Sequence, residues 1–246
     1  MTLAFLLAVG GVLGACANAG ASRDVLLVSA AASLTDAFGE IEAEFEAGSP
    51  GIDVVLNLAG SSALREQILQ GAPADVFASA NLANMQQLEQ AGELAGDPVA
   101  FATNRLQIAV PPGNPGGVTG LEDFSRQELL IGLCAESVPC GELAREMLSR
   151  AGVSAAVDTN EPDVRALLTK IELGELDAGI VYVTDIADSG SGVEGVETPG
   201  ESNIAAVYSI AALAGSQSPE EARAFVAFVE SEQGQSILTD YGFTPP

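Results

Sequence analysis

Continuous apolar runs alternate with apolar residues at helical spacing along the chain. Residues 24–30 form a nearly continuous apolar run, the pattern of a strand buried on both faces. Residues 34–45 then carry apolar side chains at helical spacing, until Gly-Ser-Pro at 48–50 stops the helix. The same alternation predicts further strands at 52–58, 74–79, 106–110, 129–133, 179–183 and 204–213, and further helices at 64–71, 81–91, 141–150, 161–173, 219–230 and 232–240.

This order of elements predicts an α/β protein with mostly parallel sheets. Strands that alternate with helices form β-α-β units, in which each helix returns the chain to the same edge of the sheet. Ligands of such sheets bind beyond the carboxyl ends of the strands, where the next helix begins. The strand-to-helix junctions are therefore the candidate functional segments.

Four junctions carry hydroxyl, glycine or proline residues at the predicted start of a helix. Ser33 stands where an N-cap is expected, and Asp36 three residues later completes the pattern of a capping box. The second junction is Gly60-Ser61-Ser62, and the third is Val138-Pro139-Cys140-Gly141. In the fourth, Pro162 suits the first helical position and leaves the next two amides unpaired. One serine at a helix start is usually a plain cap, but four such starts together can form a cage of donors for an anion.

Charge and missing residue types exclude several classes of function. The 246 residues include 34 acidic and 9 basic side chains, a formal net charge of −25, so nucleic acids and anionic membrane surfaces would be repelled. The chain has no histidine, and its single lysine, Lys170, lies outside any phosphate-loop motif. Ser33 and Ser61 consequently have no base to activate them. We expect a binding protein that is no enzyme and uses no cofactor.

Residues 1–15 have the features of an export signal. They carry no charged side chain, and the apolar run at 5–12 is too short for a membrane span. The sequence L-G-A-C at 13–16 resembles the bacterial lipoprotein cleavage box, so we expect Cys16 to carry lipid and 16–23 to form a tether. An ordinary secretory signal with an incidental cysteine is the alternative. Residues 1–3 lack the basic segment that usually opens a signal peptide, which favours a start codon upstream of Met1. Either interpretation predicts an exported protein, periplasmic or anchored to the outer face of the membrane.

Cys134 and Cys140 lie six positions apart in a chain that export would deliver to an oxidising compartment. The favoured prediction is a disulfide between them, which would stabilise the fold by roughly 2 kcal/mol. A metal site is the alternative, but it would lack histidine ligands and a third cysteine nearby.

The order and spacing of these segments resemble the molybdate-binding proteins of ABC importers, which are periplasmic or lipid-anchored and also take tungstate. The likeness runs from about residue 24 to residue 244, nearly the whole mature chain. The segments that carry it are A-A-A-S-L-T-D-A-F at 30–38, G-S-S-A-L-R-E-Q-I-L-Q-G-A-P-A-D-V-F-A-S-A at 60–80, V-P-C-G at 138–141, D-V-R-A-L-L at 163–168 and G-I-V-Y-V-T-D at 179–185.

The resemblance implies a type II periplasmic binding-protein fold, with two α/β lobes of mixed, mostly parallel sheets joined by a hinge of crossing strands. Residues 24–103 and 208–246 would form lobe 1, and residues 104–207 lobe 2. The implied function is high-affinity binding of molybdate or tungstate outside the cytoplasm, for delivery to an ABC permease and its ATPase. We expect a monomer that touches the membrane only through its lipid anchor. A sulfate-binding or other tetrahedral oxyanion-binding protein of an ABC importer is the alternative.

Five residues at the matching positions are implied to hold the oxyanion: Ser33, Ser61, Cys140, Val164 and Tyr182. They would contact the oxygens of molybdate and would not ligate the metal directly. Cys140 replaces the usual small residue, which is harmless if its backbone amide makes the contact but alters selectivity if a thiol points inward. The proposed donors are neutral hydroxyl and amide groups, so the site would favour a fully deprotonated oxyanion over protonated phosphate.

Four charged residues near these positions have a more ordinary interpretation. Asp75 is expected in a turn or between the lobes, although it could instead touch the site. Asp185 is expected at a helix cap, although it could instead orient the phenol of Tyr182. Arg65 and Arg165 are expected in surface ion pairs, although they could instead attract the anion.

Overall fold

The computed structural model describes residues 24–198 and 200–246. The predicted signal peptide at 1–15, the lipidation site Cys16 and the tether at 16–23 lie outside the described residues. The described strands are β1 (Asp24–Ala31), β2 (Ile52–Ala59), β3 (Val76–Ser79), β4 (Val99–Val110), β5 (Ile131–Cys134), β6 (Val157–Glu161), β7 (Ala178–Tyr182), β8 (Glu194–Val196) and β9 (Ala205–Ala212).

Helices follow most of these strands, as the alternating pattern predicts. They are α1 (Thr35–Gly48), α2 (Ser61–Leu69), α3 (Leu82–Ala91), α4 (Pro139–Arg150), α5 (Val164–Glu172), α6 (Val183–Asp188), α7 (Pro219–Glu230) and α8 (Glu232–Asp240). Within the described ranges, no helix combines the length and the hydrophobicity that a bilayer crossing requires. The short elements β6, α6 and β8 were not predicted, because a few residues are too short to show a period.

The strands form one mixed sheet in the order β2-β1-β3-β9-β4-β7-β5-β6, with β8 beside β4. β1 pairs in parallel with β2 and β3, and these strands with α1, α2 and α3 are called the first half here. β5 pairs in parallel with β6 and β7, and these strands with α4, α5 and α6 are called the second half. The pairs that involve β4 and β9 are antiparallel and connect the two halves.

β4 passes from one half to the other. Its residues 99–105 pair with β9, and its residues 106–109 pair with β7. The predicted strand began only at residue 106, because polar side chains at 103–105 interrupt the apolar run of the first part. The whole of β4 is nevertheless one strand, since both parts find a partner in the sheet.

The predicted cap at Ser33 is wrong. Ser33 lies within a 3-10 turn, Ala32–Leu34, and α1 begins after it with Leu34 as an N-cap that makes no side-chain hydrogen bond. The hydroxyl of Ser33 is bonded instead to that of Tyr208, at 2.8 Å. Asp36 therefore does not close a capping box, and its carboxylate contacts Arg165.

The predicted position of Pro162 as the first helical residue is also wrong. Pro162 lies one residue before the N-cap of α5, which is Asp163. The carboxylate of Asp163 accepts a hydrogen bond from the amide of Ala166 at 2.9 Å, which is the usual task of an N-cap side chain. The start of α5 is thus shifted by two residues, and Val164 becomes its first residue.

Buried aromatic rings pack around Tyr208 of β9. The ring of Tyr208 packs edge-on against Phe101 and Phe243, with centroids 6.2 and 5.4 Å apart. On its other side it meets the ring of Tyr182, 6.0 Å away. Edge-to-face pairs of this kind add to the burial of apolar area and fix the orientation of the rings.

Candidate oxyanion-binding site

A small cavity lies between the two halves, and the five predicted site residues all line it. Its volume is about 10 Å³, far below the roughly 300–1,000 Å³ typical of pockets for larger organic ligands. The five residues are between 1% and 3% exposed, so their donors are shielded from bulk water. The residues in question are Ser33, Ser61, Cys140, Val164 and Tyr182.

Three helices begin at the cavity wall. Ser61 is the first residue of α2, Cys140 the second residue of α4, and Val164 the first residue of α5. The first amides of a helix have no partner within the helix and carry partial positive charge. Three helix N-termini with free amides are therefore directed at one small space, an arrangement suited to an anion.

The hydroxyl of Ser61 is oriented by a backbone group. Its oxygen accepts a hydrogen bond from the amide of Ala80, at 3.1 Å. A serine hydroxyl carries one proton and accepts through its lone pairs. Because Ala80 already supplies a donor, the proton of Ser61 is free to point into the cavity. Ala80 itself lines the cavity and was not predicted, because it follows the end of a strand rather than opening a helix.

Tyr182 contributes a phenol that has no hydrogen-bond partner among the described residues, although its ring is almost fully buried. Burial raises the pKa of Tyr182 well above its ordinary value, and the nearby Tyr208 and Asp185 add to the increase. The phenol is therefore a neutral donor at any working pH. A buried donor without a partner costs free energy unless a ligand satisfies it.

Asp185 holds the backbone of Tyr182 in place. Its carboxylate accepts a hydrogen bond from the amide of Tyr182 at 3.0 Å, so the helix-cap interpretation is confirmed. The carboxyl is fully buried, and this burial raises its pKa to about 7, although Arg165 at 3.5 Å opposes the shift. Asp188, farther along α6, has its pKa raised to about 6 by partial burial and by the negative charge of Asp36.

Arg165 connects the two halves beside the cavity. Its guanidinium contacts Asp36 of α1, and it also lies 3.9 Å from Asp188. The predicted ion pair of Arg165 is present, but the arginine side chain is only 26% exposed and therefore partly shielded from solvent. A second contact crosses between the halves where the side-chain amide of Asn81 donates to Glu142, at 3.1 Å.

No arginine or lysine is among the residues that line the cavity in the described part of the chain. Arg65 pairs with Glu66 and donates to Asn84 at 2.6 Å, so the predicted ion pair is present, but the Arg65 side chain is only 14% exposed and is not at the open surface. Asp75 accepts from the amides of Leu27 and Gln217 in a buried turn, also as expected. An anion in the cavity would be held by neutral donors.

A disulfide joins Cys134 at the end of β5 to Cys140 in the first turn of α4, in line with the sequence prediction. The sulfur of Cys140 is thereby engaged on the side of β5, and its backbone amide is the group left for the cavity. The turn between them is tight, because a side chain at Gly141 would lie 2.0 Å from the carbonyl oxygen of Ala135. The replacement of the usual small residue by Cys140 is compatible with an amide contact.

The fold and the cavity define a class of protein: an α/β protein with a small cavity between two halves, lined by the N-termini of helices and suited to an anion. The sequence profile of the bacterial extracellular solute-binding proteins matches residues 26–244, and the chain belongs to this family.

The chain is also similar to a named relative in sequence and to solved structures in fold. The chain is 40% identical over 248 residues to the molybdate-binding protein ModA of Mycobacterium tuberculosis, a match that spans 100% of this chain and 95% of that protein. The structure is similar to the periplasmic molybdate-binding protein of Azotobacter vinelandii, with a TM-score of 0.78 at 20% identity over 90% of this chain and 99% of that one. It is also similar to the sulfate-binding protein SubI of Mycobacterium tuberculosis, with a TM-score of 0.80 at 18% identity over 91% and 87%.

Proposed function

We propose that this exported protein binds molybdate in the cavity between its two halves and delivers it to the permease of an ABC importer. The observation that carries the proposal is the gathering of hydroxyl and helix-start residues around one small space, which no arginine or lysine lines in the described part of the chain: Ser33, Ser61, Cys140, Val164 and Tyr182. The full-length likeness to a protein named for molybdate binding supports the same ligand. As a member of a solute-binding family, the chain is a binding protein and no enzyme.

Neutral donors suffice for a dianion when each oxygen receives hydrogen bonds in a site shielded from water. A hydrogen bond to a charged group contributes about 1.5–3 kcal/mol, more than one between neutral partners. Each helix N-terminus adds about 0.3–1 kcal/mol, rising to about 2 where it is partly buried. The net charge of −25 opposes an approaching anion, so local donors have to outweigh the field of the whole protein.

A second candidate ligand is sulfate, which is a tetrahedral dianion like molybdate. The structural likeness to a sulfate-binding protein keeps this ligand in consideration. Both ions would use the same donors, and the smaller sulfate would leave some of them at longer distances. We place molybdate first because the sequence identity to the named molybdate-binding relative is 40%, whereas the sulfate-binding protein shares only 18%.

The binding mechanism that we infer is closure of two lobes, residues 24–103 with 208–246 and residues 104–207. Ser33 and Ser61 belong to the first lobe, and Cys140, Val164 and Tyr182 to the second. Because all five are buried, an anion would reach them only when the lobes separate, and β4 and β9 would form the hinge. Small-angle scattering should show a smaller radius of gyration when molybdate is added to a protein that is open without it.

Further features of the proposal concern the cell envelope. Lipid on Cys16, binding of tungstate and a monomeric state follow from the resemblance and from the N-terminal sequence. Metabolic labelling with a fatty acid, followed by electrophoresis, tests the anchor. The wild type should carry the label, and the Cys16→Ser variant should lack it and migrate differently. Membrane contact beyond that anchor is not expected for so acidic a chain.

A thermal-shift titration of the purified protein tests the proposed ligand. Binding to the folded state raises stability by RT ln(1 + [L]/Kd), so a tight ligand raises the melting temperature strongly. Molybdate and tungstate should produce large shifts, sulfate a smaller one and phosphate the least. If sulfate stabilises the protein more than molybdate at equal concentrations, the second candidate replaces the first. If none of the four anions has an effect, the proposed function is wrong.

A further inference from the structure

Tyr208 lies directly behind the cavity and is fully buried on β9, although it does not line the cavity wall. Its hydroxyl oxygen is 2.8 Å from that of Ser33. The hydroxyl of Tyr208 also interacts with Asn104, and its ring lies against the ring of Tyr182, with centroids 6.0 Å apart. One buried phenol on β9 is thus in contact with a proposed ligand residue of each half.

The direction of the bond between Ser33 and Tyr208 decides what Ser33 offers a ligand. If Ser33 donated to Tyr208, only its lone pairs would be left to face the cavity, and lone pairs repel an oxyanion. If Tyr208 donates, the serine oxygen is an acceptor within the protein, and its proton turns toward the ligand. Ser61 shows the same principle with a fixed direction, because the amide of Ala80 can only donate to it.

The surroundings of Tyr208 favour its role as a donor. Asn104, whose side-chain amide donates to Thr184 at 2.8 Å, has a second amide proton that is available to the oxygen of Tyr208. Burial also raises the pKa of Tyr208, so its proton stays in place at any working pH. When the oxygen of Tyr208 receives a hydrogen bond from Asn104, its proton is available to Ser33, 2.8 Å away.

We propose that Tyr208 is a specificity-determining positioning residue, which fixes the proton of Ser33 toward the cavity and thereby makes this wall of the site a donor only. The inference rests on the proposed oxyanion function. A fully deprotonated ion such as molybdate or sulfate can accept hydrogen bonds through all of its oxygens. A phosphate ion that retains a proton at pH 7 needs a hydrogen-bond acceptor. Because Ser33 already accepts from Tyr208 and points its own proton at the cavity, it does not accept the proton of phosphate. Asp163, the acidic residue at the wall, has a carboxylate oxygen engaged with the amide of Ala166.

The test is a double-mutant cycle on Tyr208→Phe and Ser33→Ala, with affinities for molybdate, sulfate and phosphate measured by calorimetry at pH 7. Sulfate and phosphate are similar in size but differ in protonation. The ratio of their affinities therefore measures discrimination by protonation state and not by size. Tyr208→Phe should lower the affinity for molybdate and for sulfate by about 10-fold, and the affinity for phosphate much less. In the Ser33→Ala background, Tyr208→Phe should have no further effect. Tyr241→Phe, which removes a phenol outside the cavity, is the matched control and should change nothing.

Two results would overturn the inference: unchanged sulfate-to-phosphate selectivity in Tyr208→Phe, or an equal effect of Tyr208→Phe with and without Ser33. Binding of molybdate by the unaltered protein is measured in the same series, so failure of the proposed function is distinguished from failure of this inference. If Tyr208→Phe does not fold, fluorine NMR on protein labelled with fluorotyrosine gives the answer, because the chain has only three tyrosines. The Tyr208 resonance should move in Ser33→Ala and stay in Ser61→Ala, and an unmoved resonance in Ser33→Ala contradicts the proposal.

Discussion

A side chain at Gly60 would place its Cβ 2.6 Å from the carbonyl oxygen of Pro162, closer than real atoms approach. Gly60 is the N-cap of α2 in the first half, and Pro162 lies just before α5 in the second. Two of the helix N-termini at the cavity can therefore come together only because this position has no side chain. The φ of Gly60 is −60°, which alanine also adopts, so the requirement is for space and not for unusual backbone.

Gly60→Ala should therefore weaken molybdate binding while each half folds normally. Overpacking at a close contact costs about 1–3 kcal/mol, which corresponds to about 5- to 150-fold in affinity. Gly96→Ala is a suitable control, because a Cβ there meets nothing within 4 Å. Calorimetry on both variants tests the expectation. Wild-type affinity in Gly60→Ala would mean that the ligand does not need the halves to meet at this point.

Removing the hydroxyl of Ser61 should weaken binding and leave the fold intact. Ser61→Ala loses one donor to a buried charged ligand, at a cost of about 1.5–3 kcal/mol, or about 10- to 150-fold in affinity. Ser62→Ala is the matched control, since Ser62 is the next buried serine of α2 and does not line the cavity. Equal affinities for molybdate in the two variants would remove Ser61 from the site.

The disulfide should be present in protein taken from the cell envelope. Mass spectrometry after alkylation should find Cys134 and Cys140 unmodified until a reductant is added, and two alkylated thiols without reduction would contradict the bridge. Opening it should cost roughly 2 kcal/mol, about 4–8 °C in melting temperature for a chain of this size. A Cys134→Ser, Cys140→Ser double variant measures that loss without leaving a free thiol.

Stability should depend on pH through Asp185. Its pKa rises from an ordinary value of 3.8 to about 7 in the folded protein, so between these values the folded state holds a proton that the unfolded state has released. The contribution of this group to stability therefore falls as the pH rises from about 4 to about 7, by at most about 1.4 kcal/mol per pH unit. Asp185→Asn removes the titration and can still accept from Tyr182.

Melting temperatures at pH 5, 6, 7 and 8 test this dependence. As the pH rises to about 7, the melting temperature of the wild type should fall relative to that of Asp185→Asn. Above about pH 7 the difference between the two should stay constant. A difference that stays constant over the whole range would mean that Asp185 titrates near its ordinary pKa.

Local patterns in the sequence were enough to predict much of the fold, whereas the residues of the candidate site were implied by the resemblance to a known family. The two C-terminal helices, 219–230 and 232–240, have the predicted bounds, because their apolar period and their flanking residues are both clear. Ser61, Cys140 and Val164 were implied by the resemblance to the molybdate-binding proteins, and each lies at a helix start in the structure. The disulfide could be predicted because its two cysteines are six residues apart.

What escaped prediction depends on contacts between distant parts of the chain. Ser33 was expected to cap a helix, but its partner is Tyr208, 175 residues away, and only the pairing of β9 with β3 and β4 brings the two together. The bridge from Arg165 to Asp36 spans 129 residues and requires both halves to be assembled. No local pattern carries information about either contact.

The location of molybdate in a crystal of the complex tests the central claim most directly. An anomalous difference map recorded at the molybdenum absorption edge shows the metal position without reference to the surrounding protein. One strong peak is expected inside the cavity, with oxygens within hydrogen-bonding distance of the Ser33 and Ser61 hydroxyls, the Tyr182 phenol and the amides of Cys140 and Val164. A peak elsewhere on the protein, or an empty cavity in crystals grown with saturating molybdate, would contradict it.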